Sequence, residues 1–134
     1  MTDERGASRF ADFDIELSIG FAVPPAEPLY FTQFLAPDST FWIGAPTNWK
    51  GDAVHPASRR AIFVTLRGEY QVTTSDGMVQ RFPAGSVLIV EDTTGDGHST
   101  TITSDEDCVI FGVGLPAASA AEPGLRTSPT ARPG

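Results

Sequence analysis

Positive charge is scarce in this 134-residue sequence, in which 9 lysines and arginines stand against 17 aspartates and glutamates and leave a formal net charge of −8. The longest basic block is the pair Arg59-Arg60. A protein that binds nucleic acid needs clustered cations, because it must displace the counterions that surround the phosphates. The composition therefore argues against a nucleic-acid partner.

Cysteine is almost absent as well. Cys108 is the single cysteine, so no internal disulfide can form, and it lies in the apolar run DCVIFGVGL, where a small buried strand residue is expected rather than a reactive thiol. No apolar stretch approaches the roughly 20 residues of a membrane-spanning helix. The N-terminus, MTDERGAS, lacks the basic-then-apolar pattern of a secretion signal. These absences predict a cytoplasmic protein with no membrane partner.

Large apolar side chains are scarce at both ends of the chain. Residues 1–11 and 116–134 consist mainly of Ala, Pro, Gly, Ser and charged residues. Segments of this composition bury too little apolar surface to offset the entropy lost on ordering. We therefore expect a flexible N-terminal tail over residues 1–11, a single folded domain over 12–115, and a disordered Ala/Pro-rich C-terminal tail over 116–134.

Helical periodicity is nearly absent too, whereas short runs rich in β-branched and aromatic residues recur between Gly, Pro, Asp and Ser. Such runs are typical of strands. They cover residues 14–21, 28–35, 40–44, 61–66, 69–74, 78–82, 86–90, 99–104 and 108–115. Closely spaced short strands indicate an all-β fold, an antiparallel sandwich or barrel with little or no helix. The segment 44–60 is predicted to be the longest irregular loop within the fold.

Two segments of the sequence, HPASRRAIFVTLRG and VEDTTGDGHST, resemble motifs of the cupin superfamily, in particular of short single-domain bacterial cupins. The first cupin motif contains two histidines, a glutamate and a closing glycine. Counting back from Gly68 as the closing glycine places Ala61 at the glutamate position, Ala57 at the second histidine and His55 at the first. The resemblance covers roughly residues 28–115 and implies a cupin double-stranded β-helix, that is, a jelly-roll barrel.

The second cupin motif ends in a histidine, and that position is His98 in EDTTGDGHST. Cupins commonly hold a divalent metal with three histidines and one glutamate, of which this chain retains His55 and His98. Two protein ligands are few, because even catalytic zinc sites usually have three. The resemblance thus implies a degenerate site without a cofactor. The alternative is a divalent metal (Fe, Mn, Zn, Ni or Cu) held by both histidines with Glu91 or Asp92 as a third ligand.

In a barrel without metal, His55 and His98 are expected to face one pocket and to act as proton-transfer groups, since histidine exchanges protons near neutral pH. Arg59 shares strand parity with residues 55, 57 and 61, so we expect its side chain to point inward and to bind a carboxylate or enolate oxygen. The alternatives are a structural role for His55, hydrogen-bonded to backbone in a loop before Pro56, and a solvated position for Arg59.

The predicted substrate pocket combines aromatic residues with two alanines. Its members are Phe41, Trp42, Trp49, Ala57, Ala61, Phe63 and Tyr70. Ordinary core packing is the alternative for most of the aromatic residues. Trp49 lies in the polar stretch TNWKGD, where a lone tryptophan is typical of a residue that closes a pocket or an interface. At positions 57 and 61 the family has large metal-ligating side chains. Alanine at these positions leaves free volume in the barrel, which suits an apolar organic molecule.

These features favour an enzyme that acts on a small apolar or aromatic molecule by proton transfer, as an isomerase, cyclase or lyase. Cupins with such roles occur in bacterial secondary metabolism. One alternative is a metal-dependent, dioxygenase-like cupin that uses His55, His98 and a carboxylate. The other is a non-catalytic cupin that binds a small ligand. The resemblance also implies a homodimer that pairs through edge strands and the N-terminal segment.

Overall fold

A computed structural model describes residues 4–15, 17–20, 29–31, 36–55, 57, 59–91, 93–116 and 125–127, and for some of these, His55 included, the backbone alone. The strands are β1 Phe13–Ile15, β2 Ser18–Gly20, β3 Leu29–Phe31, β4 Ser39–Ala45, β5 Lys50–His55, β6 Ala61–Arg67, β7 Glu69–Thr74, β8 Val79–Pro83, β9 Val87–Val90, β10 His98–Ile102, β11 Cys108–Gly114 and β12 Leu125–Thr127. These residues include no helix, so the predicted all-β class is confirmed. Within the same residues, no helix suitable for spanning a membrane is found.

Strands β4 to β11 form four nested antiparallel pairs: β7 with β8, β6 with β9, β5 with β10, and β4 with β11. The pairs alternate between two four-stranded sheets. Sheet A has the order β5-β10-β7-β8 and sheet B has the order β4-β11-β6-β9. A long hairpin that is rolled up in this way is a jelly roll, in which the two sheets enclose the interior.

Side-chain alternation explains why these segments become strands with one inward face. Along β11, the buried residues Cys108, Ile110, Gly112 and Gly114 alternate with half-buried ones. Strand β7 shows the same pattern, with its even-numbered residues buried. A period of two is the signature of a strand that covers a core with one face.

Strand β5 corrects the prediction that residues 44–60 form an irregular loop. It lies at the edge of sheet A and pairs with β10, with Lys50 opposite Thr101. Its sequence, KGDAVH, contains lysine, glycine, aspartate and alanine, all of which are depleted in strands. Pairing with β10 therefore stabilises this strand despite its low strand propensity, and no pattern in the sequence predicts it.

The core contains a cluster of buried residues where β7, β8, β10 and β11 meet between the sheets. The fully buried cluster consists of Tyr70, Val72, Phe82, Ile102, Cys108 and Ile110. The rings of Tyr70 and Phe82 stack with centroids 5.0 Å apart. Cys108 is inaccessible to solvent, and burial raises the pKa of its thiol. The expectation of a small buried strand residue at this position is confirmed.

Parts of both predicted tails contact the rest of the fold. Ser8 is 1% exposed and exchanges hydrogen bonds with Ser75, whose Oγ accepts from the Ser8 N–H at 2.7 Å and whose N–H donates to the Ser8 Oγ at 2.8 Å. Phe10 packs on Phe82 with ring centroids 6.3 Å apart. Strand β12, within the segment 116–134, pairs with β1. The flexibility of the two ends stays a prediction. These contacts nevertheless join residues outside the predicted 12–115 domain to residues within it.

Candidate functional site

A cavity of about 800 Å³ lies between sheets A and B. Inward-facing side chains of both sheets form its apolar wall, which includes Phe41, Phe63 and Ile110 of sheet B and Tyr70, Val72 and Ile102 of sheet A. A volume of this size holds a small organic molecule of one to three rings, since ligand pockets span about 300 to 1,000 Å³. The barrel interior is therefore an open cavity over part of its length and a packed core over the rest.

Two aromatic rings meet across a glycine in the wall of this cavity. Gly112 in β11 lies between Phe41 in β4 and Phe63 in β6 in the register of sheet B. A Cβ atom at position 112 would overlap the Phe41 ring, so the glycine allows that ring to lie flat against β11. The Phe41 and Phe63 rings then contact edge to face, with centroids 6.0 Å apart and an interplanar angle of 83°. This pair offers a flat apolar ligand both a ring face and a ring edge.

His98 is the first residue of β10, directly after the loop that joins β9 to β10. Gly97, with φ of 79°, makes the turn that brings the chain into the strand. The His98 backbone lies opposite Thr74 of β7 on one side and His55 of β5 on the other. The half-buried His98 side chain lines the large cavity. The two histidines are thus cross-strand neighbours in sheet A, although the side chain of His55 lies outside the described part of the structure.

The N-terminal segment forms a second wall beside His98. A smaller pocket of about 70 Å³ lies between residues 8–13 and the ends of β7, β9 and β10, and His98 lines this pocket as well. The Ser8 hydroxyl donates a hydrogen bond to the carbonyl of Gly97, the residue before His98. The Gly6 carbonyl accepts a hydrogen bond from the Asp96 N–H at 2.8 Å. Residues 6–8 therefore hold the loop that positions the histidine.

The two adjacent arginines lie in the loop between β5 and β6, and their side chains diverge. Arg59 lines the cavity, and its guanidinium donates a hydrogen bond to Ser39 Oγ at 3.2 Å. Arg60 points elsewhere, with its Nε 3.9 Å from Glu91 Oε2 and a guanidinium nitrogen that donates to the Pro116 carbonyl at 3.2 Å. The exposed Arg59 thus places a positive charge at the cavity.

The structure brings six of the seven predicted pocket residues to the cavity: Phe41, Trp49, Ala57, Ala61, Phe63 and Tyr70. Trp49 reaches it from the loop between β4 and β5. A Cβ atom on Gly51 would lie 2.6 Å from the Trp49 ring, so the indole lies directly over the β5 backbone. The half-exposed ring forms part of the cavity rim.

Trp42 is the exception, and its assignment to the pocket is corrected. It lies next to the inward-facing Phe41 in β4, so alternation turns it to the opposite face of sheet B, where it is 68% exposed. Its ring contacts Phe111, with centroids 4.9 Å apart and an interplanar angle of 61°. Trp42 therefore belongs to the outer surface of the barrel.

Two hydroxyl groups are buried together beside the cavity. Tyr70, which lines the cavity, and Thr65 are both almost inaccessible, and neither hydroxyl oxygen has a hydrogen-bond partner of good geometry among the described residues. Burial raises the pKa of the Tyr70 hydroxyl, an effect that the nearby Thr65 hydroxyl opposes and Cys108 increases. Unpartnered buried hydroxyls cost free energy in the empty protein.

Replacing Thr65 with valine is therefore expected to leave the free energy of unfolding unchanged or to raise it by up to about 1 kcal/mol, because an unpaired hydroxyl is exchanged for a methyl group of the same shape. Thr74 is the matched control. It is also buried in a strand, but its hydroxyl donates to Asp76 Oδ1 and lies 3.2 Å from the Met78 carbonyl. Thr74→Val should cost about 1 to 2 kcal/mol in urea denaturation. Equal losses in both variants would show that Thr65 is hydrogen-bonded.

The described residues do not fit a metal site. No group of three His, Cys, Asp or Glu residues among them is arranged to hold a metal ion. Ala57 and Ala61 stand at the positions where the resemblance implies metal-ligating side chains, and both line the cavity. Glu91 lines the smaller pocket and lies next to Arg60. Asp92 and the side chain of His55, the other two residues of the predicted ligand set, lie outside the described part of the structure.

Several groups at the site escaped the sequence-based prediction. Ser39 and Thr100 line the cavity, and strand parity with Phe41 and His98 could have identified them. Ser8 had no such signal, because its contact with Gly97 spans 89 positions and its segment has the composition of a tail.

The nested pairing of eight strands in two facing sheets decides the fold. The chain has a jelly-roll fold. Among solved structures, it is similar to a cupin 2 conserved barrel domain protein from Salinispora arenicola CNS-205, at 18% identity and a TM-score of 0.49 over 77% of this chain and 76% of that one. It is also similar to the cupin domain of Schizosaccharomyces pombe Cnp3, at 15% identity and a TM-score of 0.49 over 85% and 68% of the two chains. No family model and no curated protein matches the sequence.

Proposed function

We propose that this cupin barrel binds a small apolar or aromatic molecule that carries an anionic or enolisable oxygen, and that His98 exchanges a proton with it. The observation that carries the proposal is the cavity of about 800 Å³, which combines an apolar wall with His98 and Arg59. Apolar pockets with a few convergent polar groups are the usual form of small-molecule sites. The buried hydroxyl of Tyr70 supplies one further polar group.

The charges at the cavity favour an anionic ligand. None of the described residues that line it is acidic, whereas Arg59 contributes a permanent positive charge. This contrasts with the whole chain, whose formal net charge is −8. A carboxylate or enolate in the cavity would therefore meet an arginine without a competing acid, and a charge-assisted hydrogen bond to a guanidinium is among the stronger polar contacts in proteins.

The proposed chemistry is proton transfer at a carbon next to a carbonyl group. Arg59 would bind the carbonyl oxygen, and the neutral His98 imidazole would take the proton from the neighbouring carbon. The electron pair of the broken C–H bond becomes the enolate, whose oxygen charge Arg59 stabilises. Return of the proton to a different carbon gives isomerisation, and expulsion of a β-leaving group gives a lyase reaction. No cofactor is part of this proposal.

The simplest test uses 2-naphthoate, a two-ring carboxylate, as a probe in an NMR titration. We expect saturable binding with a dissociation constant of roughly 0.1 to 1 mM, as for a fragment of this size. Arg59→Gln should weaken it about tenfold, because a charge-assisted hydrogen bond is lost. The affinity for the uncharged 2-naphthamide should stay the same. Arg81→Gln, at an exposed arginine outside the cavity, is the control.

A blocking variant locates the binding. Ala57 lines the cavity and is half-buried, so Ala57→Phe should fill part of the cavity and abolish naphthoate binding. Ala84→Phe, in the exposed turn between β8 and β9, adds the same ring elsewhere and should bind as the wild type does. If Ala57→Phe retains full affinity, or if Ala84→Phe loses it, the ligand does not bind in the barrel.

A further inference from the structure

His98 lies between two pockets of different character. It lines the large cavity, whose wall is mostly apolar, and also the smaller pocket of about 70 Å³ beside residues 8–13. None of the described residues that line the large cavity is acidic, whereas Asp12 and Glu91 line the smaller pocket. Both of these acidic residues are exposed, so the smaller pocket reaches the protein surface. The histidine thus joins the proposed ligand cavity to a polar pocket that is connected to solvent.

Arg9 indicates that the smaller pocket holds water. Its side chain lines the pocket, and its Nε is buried without a hydrogen-bond partner among the residues that the structure describes. A buried N–H without an acceptor is costly, and ordered water is the usual acceptor where the protein offers none. The pocket exceeds the space of one water molecule, which is about 30 Å³ in the liquid. Water there would have Arg9, His98 and the exposed acids as polar neighbours.

We propose that His98 passes protons between the two pockets and that the smaller pocket is the exit to solvent. One ring nitrogen takes the proton from the ligand carbon, and the ligand keeps the electron pair of the broken C–H bond as an enolate. The N–H on the other ring nitrogen then gives its proton to water in the smaller pocket. The imidazole ends neutral, as its other tautomer, and the proton leaves as hydrated H⁺. This exit rests on the proposed function, in which His98 is the general base.

Water, and not a carboxylate, is the first proton acceptor in this exit. The Glu91 carboxylate lies 3.9 Å from Arg60 Nε, so an arginine already balances its charge. Glu91 and Asp12 are exposed and can exchange protons with the bulk solvent. They therefore mark the outer end of the route, and His98 marks its inner end.

The N-terminal segment confines this water to a small volume. The Ser8 hydroxyl donates to the Gly97 carbonyl, and the Phe10 ring packs on Phe82, so both contacts hold the segment against the barrel. Confined water can carry a proton away while the bulk solvent stays out of the apolar cavity. A segment with the composition of a tail thereby takes part in the reaction.

Deuterium exchange into the two-ring ketone 2-tetralone tests the exit. Deuterium enters the ketone only if the proton on His98 exchanges with D₂O before it returns to carbon. Ala11 is half-buried and lines the smaller pocket but not the large cavity, so Ala11→Leu should fill much of the pocket. We expect exchange at least tenfold slower with unchanged affinity for 2-naphthoate. Ala7→Leu adds the same side chain to the same segment outside the pocket and should exchange as the wild type does.

A kinetic isotope effect separates a blocked exit from a displaced histidine. With ketone deuterated at the reacting carbon, the wild type should lose deuterium to H₂O with a primary isotope effect, because cleavage of the C–D bond limits the rate. In Ala11→Leu the release to solvent should limit the rate, so the isotope effect should fall towards one. A misplaced His98 would slow C–D cleavage itself and would keep the full isotope effect.

A crystal structure of the free protein tests the water independently of activity. We expect density for water in the smaller pocket, within about 3.2 Å of Arg9 Nε. The same density should be lost in Ala11→Leu and kept in Ala7→Leu.

Three results would overturn the exit. The first is a dry smaller pocket. The second is a wild type that exchanges deuterium while Ala11→Leu matches it in rate and isotope effect, which would refute the exit and leave the proposed function standing. The third is a loss of naphthoate affinity in Ala11→Leu as large as in Ala57→Phe, which would make the smaller pocket part of the ligand site. A wild type that exchanges no deuterium would refute the proposed proton transfer itself, and the exit with it.

Discussion

Replacing His98 with asparagine should lower proton exchange in the barrel by about 100- to 10,000-fold, the usual contribution of a positioned general base. Asparagine keeps a polar side chain of similar width at the start of β10, so the cavity and the fold should remain. Of these two side chains, only histidine exchanges a proton near neutral pH. The effect should therefore appear in the rate and not in the affinity for 2-naphthoate.

This effect is measurable without knowledge of the natural substrate. Isomerases and many lyases that act beside a carbonyl group begin by removing a proton from carbon, so the two-ring ketone 2-tetralone in deuterated buffer reports the common step. The wild-type protein should catalyse deuterium incorporation into 2-tetralone faster than free imidazole does at the same concentration. Ser99→Ala, at the next residue of β10 and on the opposite face, should behave as the wild type. If the wild-type protein binds 2-naphthoate but does not accelerate deuterium incorporation, it is instead a ligand-binding barrel without this catalytic activity.

Gly68→Ala should destabilise the protein by about 3 kcal/mol or more. Gly68 turns the chain from β6 into β7 with φ of 74°, a conformation that costs L-residues about 1 to 2 kcal/mol. A Cβ atom there would also lie 2.8 Å from the Asp107 carbonyl oxygen and 2.9 Å from the Cys108 Cα. Both are backbone atoms, so relief requires β11 to move.

Gly77→Ala isolates the first of these contributions, the cost of the backbone conformation. Gly77 has φ of 89°, but no atom lies within 4 Å of the position where a Cβ would be added. Its substitution should cost only about 1 to 2 kcal/mol, the backbone term alone. Urea denaturation measures both values. If the two variants lose the same stability, β11 does not pack against Gly68 as described.

The strands of the barrel were predictable because alternating burial leaves a direct mark on sequence. The run 69–74 coincides with β7, and β6, β9 and β11 differ from their predicted limits by one residue. Strand β5 left no such mark, since its pairing with β10 overrides the poor strand propensity of KGDAVH. The local sequence pattern thus predicts a strand whose side chains alternate between core and surface. It does not predict a strand that forms because of its pairing with a distant segment.

The site was predictable to the extent that parity determines direction. Parity applied to Phe41, which lines the cavity, would have turned Trp42 outward. Arg59 also lines the cavity, but it lies in the loop between β5 and β6, where strand parity does not determine direction. The contribution of the N-terminal segment was not predictable, because Ser8 acts through hydrogen bonds to Ser75 and Gly97. Contacts over such sequence separations follow from the completed fold and not from any local pattern.

A crystal structure of the protein with 2-naphthoate would show whether the barrel cavity is the ligand site. We expect density for the naphthalene ring inside the barrel, against the edge-to-face pair of Phe41 and Phe63. The carboxylate should lie about 3 Å from the Arg59 guanidinium, with the ring system within reach of His98. Density for the probe on the outer face of sheet B, or an empty barrel at probe concentrations that saturate binding in solution, would contradict it.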